Sequence, residues 1–168
     1  IRRELVKRGS LFQSTTDTEV ITHLMATSLR ASLIDRLIDA LHRIEGAYSL
    51  VALAADMVLG VRDPLGVRPL SLGRLGTTNI LASETCAFDI IGAEFVRDVE
   101  PGELIVLDSS GVHSLRPFAS QPSRFCIFEH IYFARPDSVM EGASVYDTRK
   151  RIGAELAREA PVVADVVI

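Results

Sequence analysis

Tryptophan is absent from the 168 residues, and aromatic residues of all kinds make up only 6%. A base-stacking platform for single-stranded nucleic acid is therefore not expected. Positive charge is also in short supply. Eighteen Lys and Arg against 22 Asp and Glu give a formal charge of −4 and a pI near 5.6. A nucleic-acid groove needs a basic face, so that class is excluded as well. No apolar run approaches the roughly 18 residues of a membrane-spanning helix, although mean hydropathy is slightly positive at +0.25. There are two cysteines, Cys86 and Cys126, with no CxxC spacing. That rules out a disulfide-stapled secreted scaffold. The N-terminus is charged and has no apolar signal core, so the expected location is the cytoplasm. Four histidines (His23, His42, His113, His130) show no metal-ligand spacing with one another or with the cysteines.

What is present suits one globular domain with a real core: 48% hydrophobic and 24% charged residues. A first short helix is expected to stop at Gly9, a natural left-handed C-cap. Thr16 and Glu19 fit a capping box that opens a helix over about 17–30. Leu33, Ile34, Leu37, Ile38, Leu41 and Ile44 mark the inner face of the next. The two read as an antiparallel helical layer on a sheet. From Gly46 the period changes to that of strands, expected over 47–54 (buried), 57–62, 68–72 and 79–83. Asp63-Pro64-Leu65-Gly66 suits a type I turn. A short helix at about 84–91 precedes strands near 94–98, 103–108 and 111–116. Residues 117–124 read as a loop and 126–133 as extended. A helix over about 144–159 carries an Asp147–Arg151 pair at i,i+4. The β-branched run 163–168 reads as a strand. Tight turns between short strands imply antiparallel pairing, so the class is α+β.

Single residues offer chemistry with bland alternatives. Asp17 sits in the first turn of a helix, where it either complements the helix dipole or grips a ligand ammonium. Arg62 and Arg68 flank the tight turn. They are either solvated or paired with Asp63 and Glu84, or they recognise a carboxylate or phosphate bidentately. Cys86 reads as a small buried apolar residue, and Tyr132 and Phe133 as core aromatics. No P-loop, GxGxxG, HExxH or GxSxG is present.

Four segments carry more information together: GSLFQSTTDTEV (9–20), GVRDPLGVRPLSLG (60–73), ASETCAFDIIGAEFVRDVEPGELIVLD (82–108) and CIFEHIYFARPDSVMEGASVYDTRKRIGAELA (126–157). In this order the chain resembles the glutamine phosphoribosylpyrophosphate amidotransferase family along essentially its whole length. The resemblance implies a four-layer αββα sandwich of the N-terminal nucleophile hydrolase type, with its N-terminal part missing. It implies a glutaminase domain over 1–133, a linker and helix over 134–160, and from 161–168 the start of a phosphoribosyltransferase α/β domain. The implied reaction hydrolyses glutamine and channels ammonia to phosphoribosylpyrophosphate, giving 5-phosphoribosylamine, the first committed step of purine synthesis.

Residue by residue, the resemblance places Asp17 on the glutamine α-ammonium and Tyr132 on the wall of the ammonia channel. It assigns Arg62, Asp63 and Arg68 to a turn that shapes the sheet around the site. Cys126 aligns with a ligand of a structural [4Fe–4S] cluster in some members, while others keep the cysteine without a cluster. Mg²⁺ with phosphoribosylpyrophosphate, and a homotetramer, belong to the same implication. The family's nucleophile is a cysteine at the mature N-terminus, and position 1 here is Ile1. The carboxylate-binding arginine and the Asn-Gly oxyanion element of the family have no match here either. Glutamine hydrolysis by the purified 168-residue polypeptide is accordingly expected to be nil, and a steady release of glutamate in a coupled assay would overturn this. The alternatives are another class II glutamine amidotransferase, against which 126–138 argues, and a catalytically dead binding or regulatory relative.

Overall fold

The computed structural model describes residues 1–166. They form two compact units, one of residues 1–46 and one from Ala47 onward. In the first unit, α1 (Arg2–Lys7) ends as the sequence suggests. Gly9 takes φ +95°, the Ser10 N–H reaches Leu5 O, and the Gly9 N–H reaches Val6 O. That is a Schellman closure, which a residue with a Cβ would strain. Helices α2 (Glu19–Thr27) and α3 (Leu33–Leu41) pack together. Their core gathers Leu5, Leu24 and Ala40, with Phe12, Val20, Ile21, Met25 and Ile44 around them. Ser32 caps α3 by accepting the Asp35 N–H at 3.0 Å.

The second unit holds two antiparallel sheets of three or more strands, besides a two-stranded hairpin near its end. One runs β1 (Ser49–Leu53), β2 (Met57–Arg62), β6 (Leu104–Asp108), β7 (Gly111–Leu115); the other runs β4 (Thr78–Ala82), β3 (Ser71–Leu75), β5 (Glu94–Asp98). Leu70, Leu72, Val99, Ile105 and Leu107 form a core joining strands of both sheets, with Val58 and Leu81 against it. Helix α4 (Thr85–Ile91) covers the three-stranded sheet so closely that a Cβ on Gly73 would lie 2.6 Å from the Phe88 ring. Beyond a π-helical turn at Glu129–Phe133, the hairpin β8 (Val139–Met140) and β9 (Ala143–Ser144) leads into α5 (Val145–Glu159).

Several expectations are corrected. Residues 126–133 are not extended: they end in the π-helical turn. The Thr16–Glu19 capping box does not form, because α2 begins two residues late and Glu19 itself is its first residue. Strand β1 is at the edge of its sheet, so alternation leaves Val51 and Leu53 exposed rather than buried. Arg151 turns to the backbone oxygen of Asp147 and the Thr148 hydroxyl instead of the Asp147 carboxylate. Of the strand expected over 163–168, residues 163–166 adopt no regular structure, and 167–168 lie outside the described residues.

Candidate functional site

Asp17 lies in an exposed loop just before α2. Its Oδ1 accepts the Thr18 N–H at 2.9 Å, and among the described residues it makes no ion pair. The loop around it is held from both sides. Glu19 accepts the Gln13 N–H at 2.7 Å, the Ser14 N–H at 2.9 Å and the Ser14 hydroxyl at 2.6 Å. These bonds, led by the Ser14 hydroxyl, hold the Glu19 carboxyl down at about 2, so it is ionised at any working pH. Arg2 donates to the Thr16 and Ser14 carbonyls and lies 4.2 Å from the centre of the Phe12 ring. A carboxylate without an internal cation, on a braced loop, can accept an ammonium group.

The 62–68 turn is built on two buried charges. Asp63 is fully buried; its carboxylate accepts the Leu65 and Val67 N–H groups at 2.9 and 3.0 Å. Its carbonyl accepts Gly66 N–H, closing the expected turn, and also Gly102 N–H. Arg62 is 1% exposed and donates to the carbonyls of Arg68, Val99 and Gly66 at 2.8–2.9 Å. Its remaining contact is Glu141 Oε1 at 2.7 Å. Glu141 sits at φ +49° beside Gly142 at +76°, the two-residue tip joining β8 to β9. Four of the five N–H donors of Arg62 are therefore taken up by protein, and at 1% exposure the guanidinium is enclosed by the scaffold rather than presented to a ligand.

Arg68 makes a different connection. Its guanidinium lies 3.0 Å from Glu129 Oε1, outside hydrogen-bond alignment, and 4.6 Å from the centre of the Phe133 ring. Burial pushes the Glu129 carboxyl up; the Arg68 charge opposes this and the Glu84 charge adds to it. Arg149 on α5 fastens the same turn from the other side, donating to the His130 and Ala134 carbonyls at 2.7 Å each. Glu84 at the start of α4 accepts the Arg135 N–H at 2.8 Å and the Ser138 hydroxyl at 2.9 Å. On this fastened turn Tyr132 points outward, 77% exposed, with its ring edge-on to Phe133 at 5.8 Å. It is no core aromatic.

The structure thus brings Arg62, Asp63, Arg68 and Cys126 together with the Tyr132 turn: the N–H groups of Arg124 and Cys126 bond the carbonyls of Leu65 and Val67. Asp17 belongs to the other unit. Neither turn arginine pairs with Asp63 or Glu84; their acidic partners are Glu141 and Glu129. Those partners and Arg149 carry no signal in the sequence. Glu84 and Glu19 do, as a partner of the turn arginines and as half of a capping box, but the structure gives each a different task. Among the described residues no three His, Cys, Asp or Glu side chains are grouped to hold a metal ion. Cys126 supplies one thiol where a cluster needs four ligands. The described residues do not by themselves make up a cluster or a Mg²⁺ site.

A family model described as a glutamine amidotransferase domain matches residues 1–89. The chain belongs to this family. Among its relatives, the amidophosphoribosyltransferase of Rhizobium etli is 50% identical over 100% of the chain and 35% of the relative. The Bacillus subtilis amidophosphoribosyltransferase is 41% identical over 99% of the chain and 35% of that protein. The solved structure of the B. subtilis glutamine phosphoribosylpyrophosphate amidotransferase, complexed with ADP and GMP, superposes with a TM-score of 0.93 at 40% identity. It covers 98% of this chain and 36% of that one. The chain therefore spans about a third of the length of the relatives it matches. The mixed helix–sheet fold is that of these enzymes, consistent with the nucleophile hydrolase sandwich expected from the sequence. No helix among the described residues is long and apolar enough to cross a membrane.

Proposed function

We propose that this chain is the glutamine-binding part of an amidophosphoribosyltransferase. The observation that carries the reading is the similarity that runs from end to end at 50% identity to one such enzyme. In this reading glutamine is held with its α-ammonium on Asp17. A cysteine thiolate outside these residues attacks the side-chain amide, and ammonia leaves toward phosphoribosylpyrophosphate along a wall that includes Tyr132. Ammonia reacts only while unprotonated, and an aromatic wall keeps water away from it. Arg62 and Asp63 hold the turn behind that wall, and Arg68 spans from the turn to Glu129 and Phe133. Assembly as a homotetramer and a cytoplasmic location belong to the same reading and are supported by the family resemblance.

The test is kinetic, on the full-length protein. Asp17→Asn removes the charge opposite the ammonium and is expected to raise the glutamine KM about tenfold or more, a loss of roughly 1.4 kcal/mol or above. Synthesis of phosphoribosylamine from added ammonia should be nearly unchanged, since that route bypasses glutamine. Equal loss of both activities would make Asp17 structural and count against the reading.

A further inference from the structure

We propose that Glu19 is a positioning residue for Asp17, bracing the 12–18 loop in the one conformation that presents the Asp17 carboxylate to a substrate ammonium. The inference rests on the reading of Asp17 given above and adds to it the group that makes the contact possible. Glu19 is the first residue of α2, where an acidic side chain would ordinarily just face solvent. Instead it turns back across the loop, its side chain only 17% exposed, and both oxygens are used. Oε1 takes the Gln13 N–H, and Oε2 takes both the N–H and the hydroxyl of Ser14. Hydrogen bonds to an ionised carboxylate are about twice as strong as neutral ones.

Those three bonds set off a short chain of order. Ser14, once fixed, meets the Thr16 hydroxyl at 2.7 Å and accepts the Thr16 N–H at 3.3 Å. Thr16 is the neighbour of Asp17, and its carbonyl is also held by Arg2. The opposite end is closed by Phe12, which lies 4.2 Å from His23 of α2. His23 in turn stands 3.8 Å from Glu19 Oε1. The loop is therefore clamped by α1 through Arg2 and by α2 through Glu19 and His23. Asp17 adds only its bond to Thr18 N–H, so its direction depends on the backbone that carries it.

The exposure of this network separates positioning from plain stability. Gln13 and Ser14 are exposed, so water can replace Glu19 at their donors and folding loses little. What is lost is order in a loop that must hold a charge within about 0.5 Å of its target. A substrate contact made by a mobile carboxylate costs ordering at the moment of binding.

The experiment uses the full-length protein and compares Glu19→Ala, Glu19→Gln, Asp17→Asn and the Asp17→Asn/Glu19→Ala double variant. Glutamine-dependent and ammonia-dependent synthesis are measured along with the unfolding midpoint. Glu19→Ala is expected to raise the glutamine KM about tenfold, with ammonia-dependent kcat and the midpoint nearly unchanged. Glu19→Gln keeps one acceptor oxygen but sets an NH₂ against a donor, and should fall between. The double variant should be no worse than Asp17→Asn alone, because a loop that no longer presents a charge has nothing left to lose. An Asp17→Asn effect with no Glu19→Ala effect would overturn the inference and leave the reading of Asp17 standing. Additive losses, or equal loss of both activities in Glu19→Ala, would overturn it too. No selective effect of Asp17→Asn would instead overturn the reading on which the inference rests.

Discussion

Replacing Arg62 with Met should destabilise the second unit by about 3–5 kcal/mol, the cost of breaking a buried charge network by removing one partner. The methionine fills similar space but donates nothing. The carbonyls of Val99, Gly66 and Arg68 lose their donor, and Val99 and Gly66 are buried residues. Each buried acceptor left unpaired costs about 1–3 kcal/mol. Glu141 loses the cation that faces it across 79 residues of sequence, while its positive φ remains to be held by the hairpin alone. Lysine is a poor substitute, because one ammonium cannot reach four acceptors laid out for a planar fork. Urea unfolding followed by two probes measures the change. A loss under about 1 kcal/mol for Arg62→Met would show that the network is worth no more than a surface pair.

Glu103 gives the second large effect and links it to pH. This carboxylate is fully buried. Arg97 grips it with two bonds of 2.7 and 2.9 Å, the Ser114 hydroxyl donates at 2.6 Å, and the Glu100 N–H donates at 2.8 Å. Burial alone pushes the carboxyl up, but the Arg97, Ser114 and Glu100 donors outweigh it and hold the group at about 2. A folded-state value below the unfolded one means stabilisation that is complete above about pH 4.5. It is lost as pH falls from there through about 2. The contribution is on the order of 3 kcal/mol. Glu103→Gln should remove most of it at pH 7. The gap between wild type and variant should then close as the pH is lowered through about 2, where the native carboxyl also takes up its proton. A gap that stays constant across that range would place the loss in packing rather than charge.

The expected hairpins and helices were legible where local rules dominate. The Asp63-Pro64-Leu65-Gly66 turn closes as written, with Gly66 N–H on Asp63 O, because proline and glycine preset their own dihedrals. Alternation located β2, β6 and β7 to within a residue or so. The same alternation could not reveal that β1 is an edge strand, since its apolar residues look alike whether or not a sheet covers them. Nor could spacing find the π-helical turn at Glu129–Phe133. Its shape is held by Arg68, Arg149 and neighbouring contacts from distant elements rather than by propensity. At the candidate site, Asp17 was picked out by its hydroxyl-rich setting, and Glu19 was assigned to the wrong task because helix starts are the least certain boundaries.

By itself the sequence determined the class of the protein: mixed helix and sheet, few cysteines, no basic groove, and motif strings that point to glutamine amidotransfer. The first three follow from composition and short-range order, which need no knowledge of what folds against what; the last is what the family resemblance of the four segments implies. Only the tertiary structure decided which charges are committed to the scaffold and which remain free to meet a ligand. Arg62 and Arg68 look equivalent on either side of one turn, yet Arg62 is enclosed by four acceptors and Arg68 stays half-exposed against Glu129 and Phe133. The difference is one of solvent and partner. A guanidinium removed from water must have its donors satisfied by whatever the fold brings near, and for Arg62 that includes a glutamate 79 positions away.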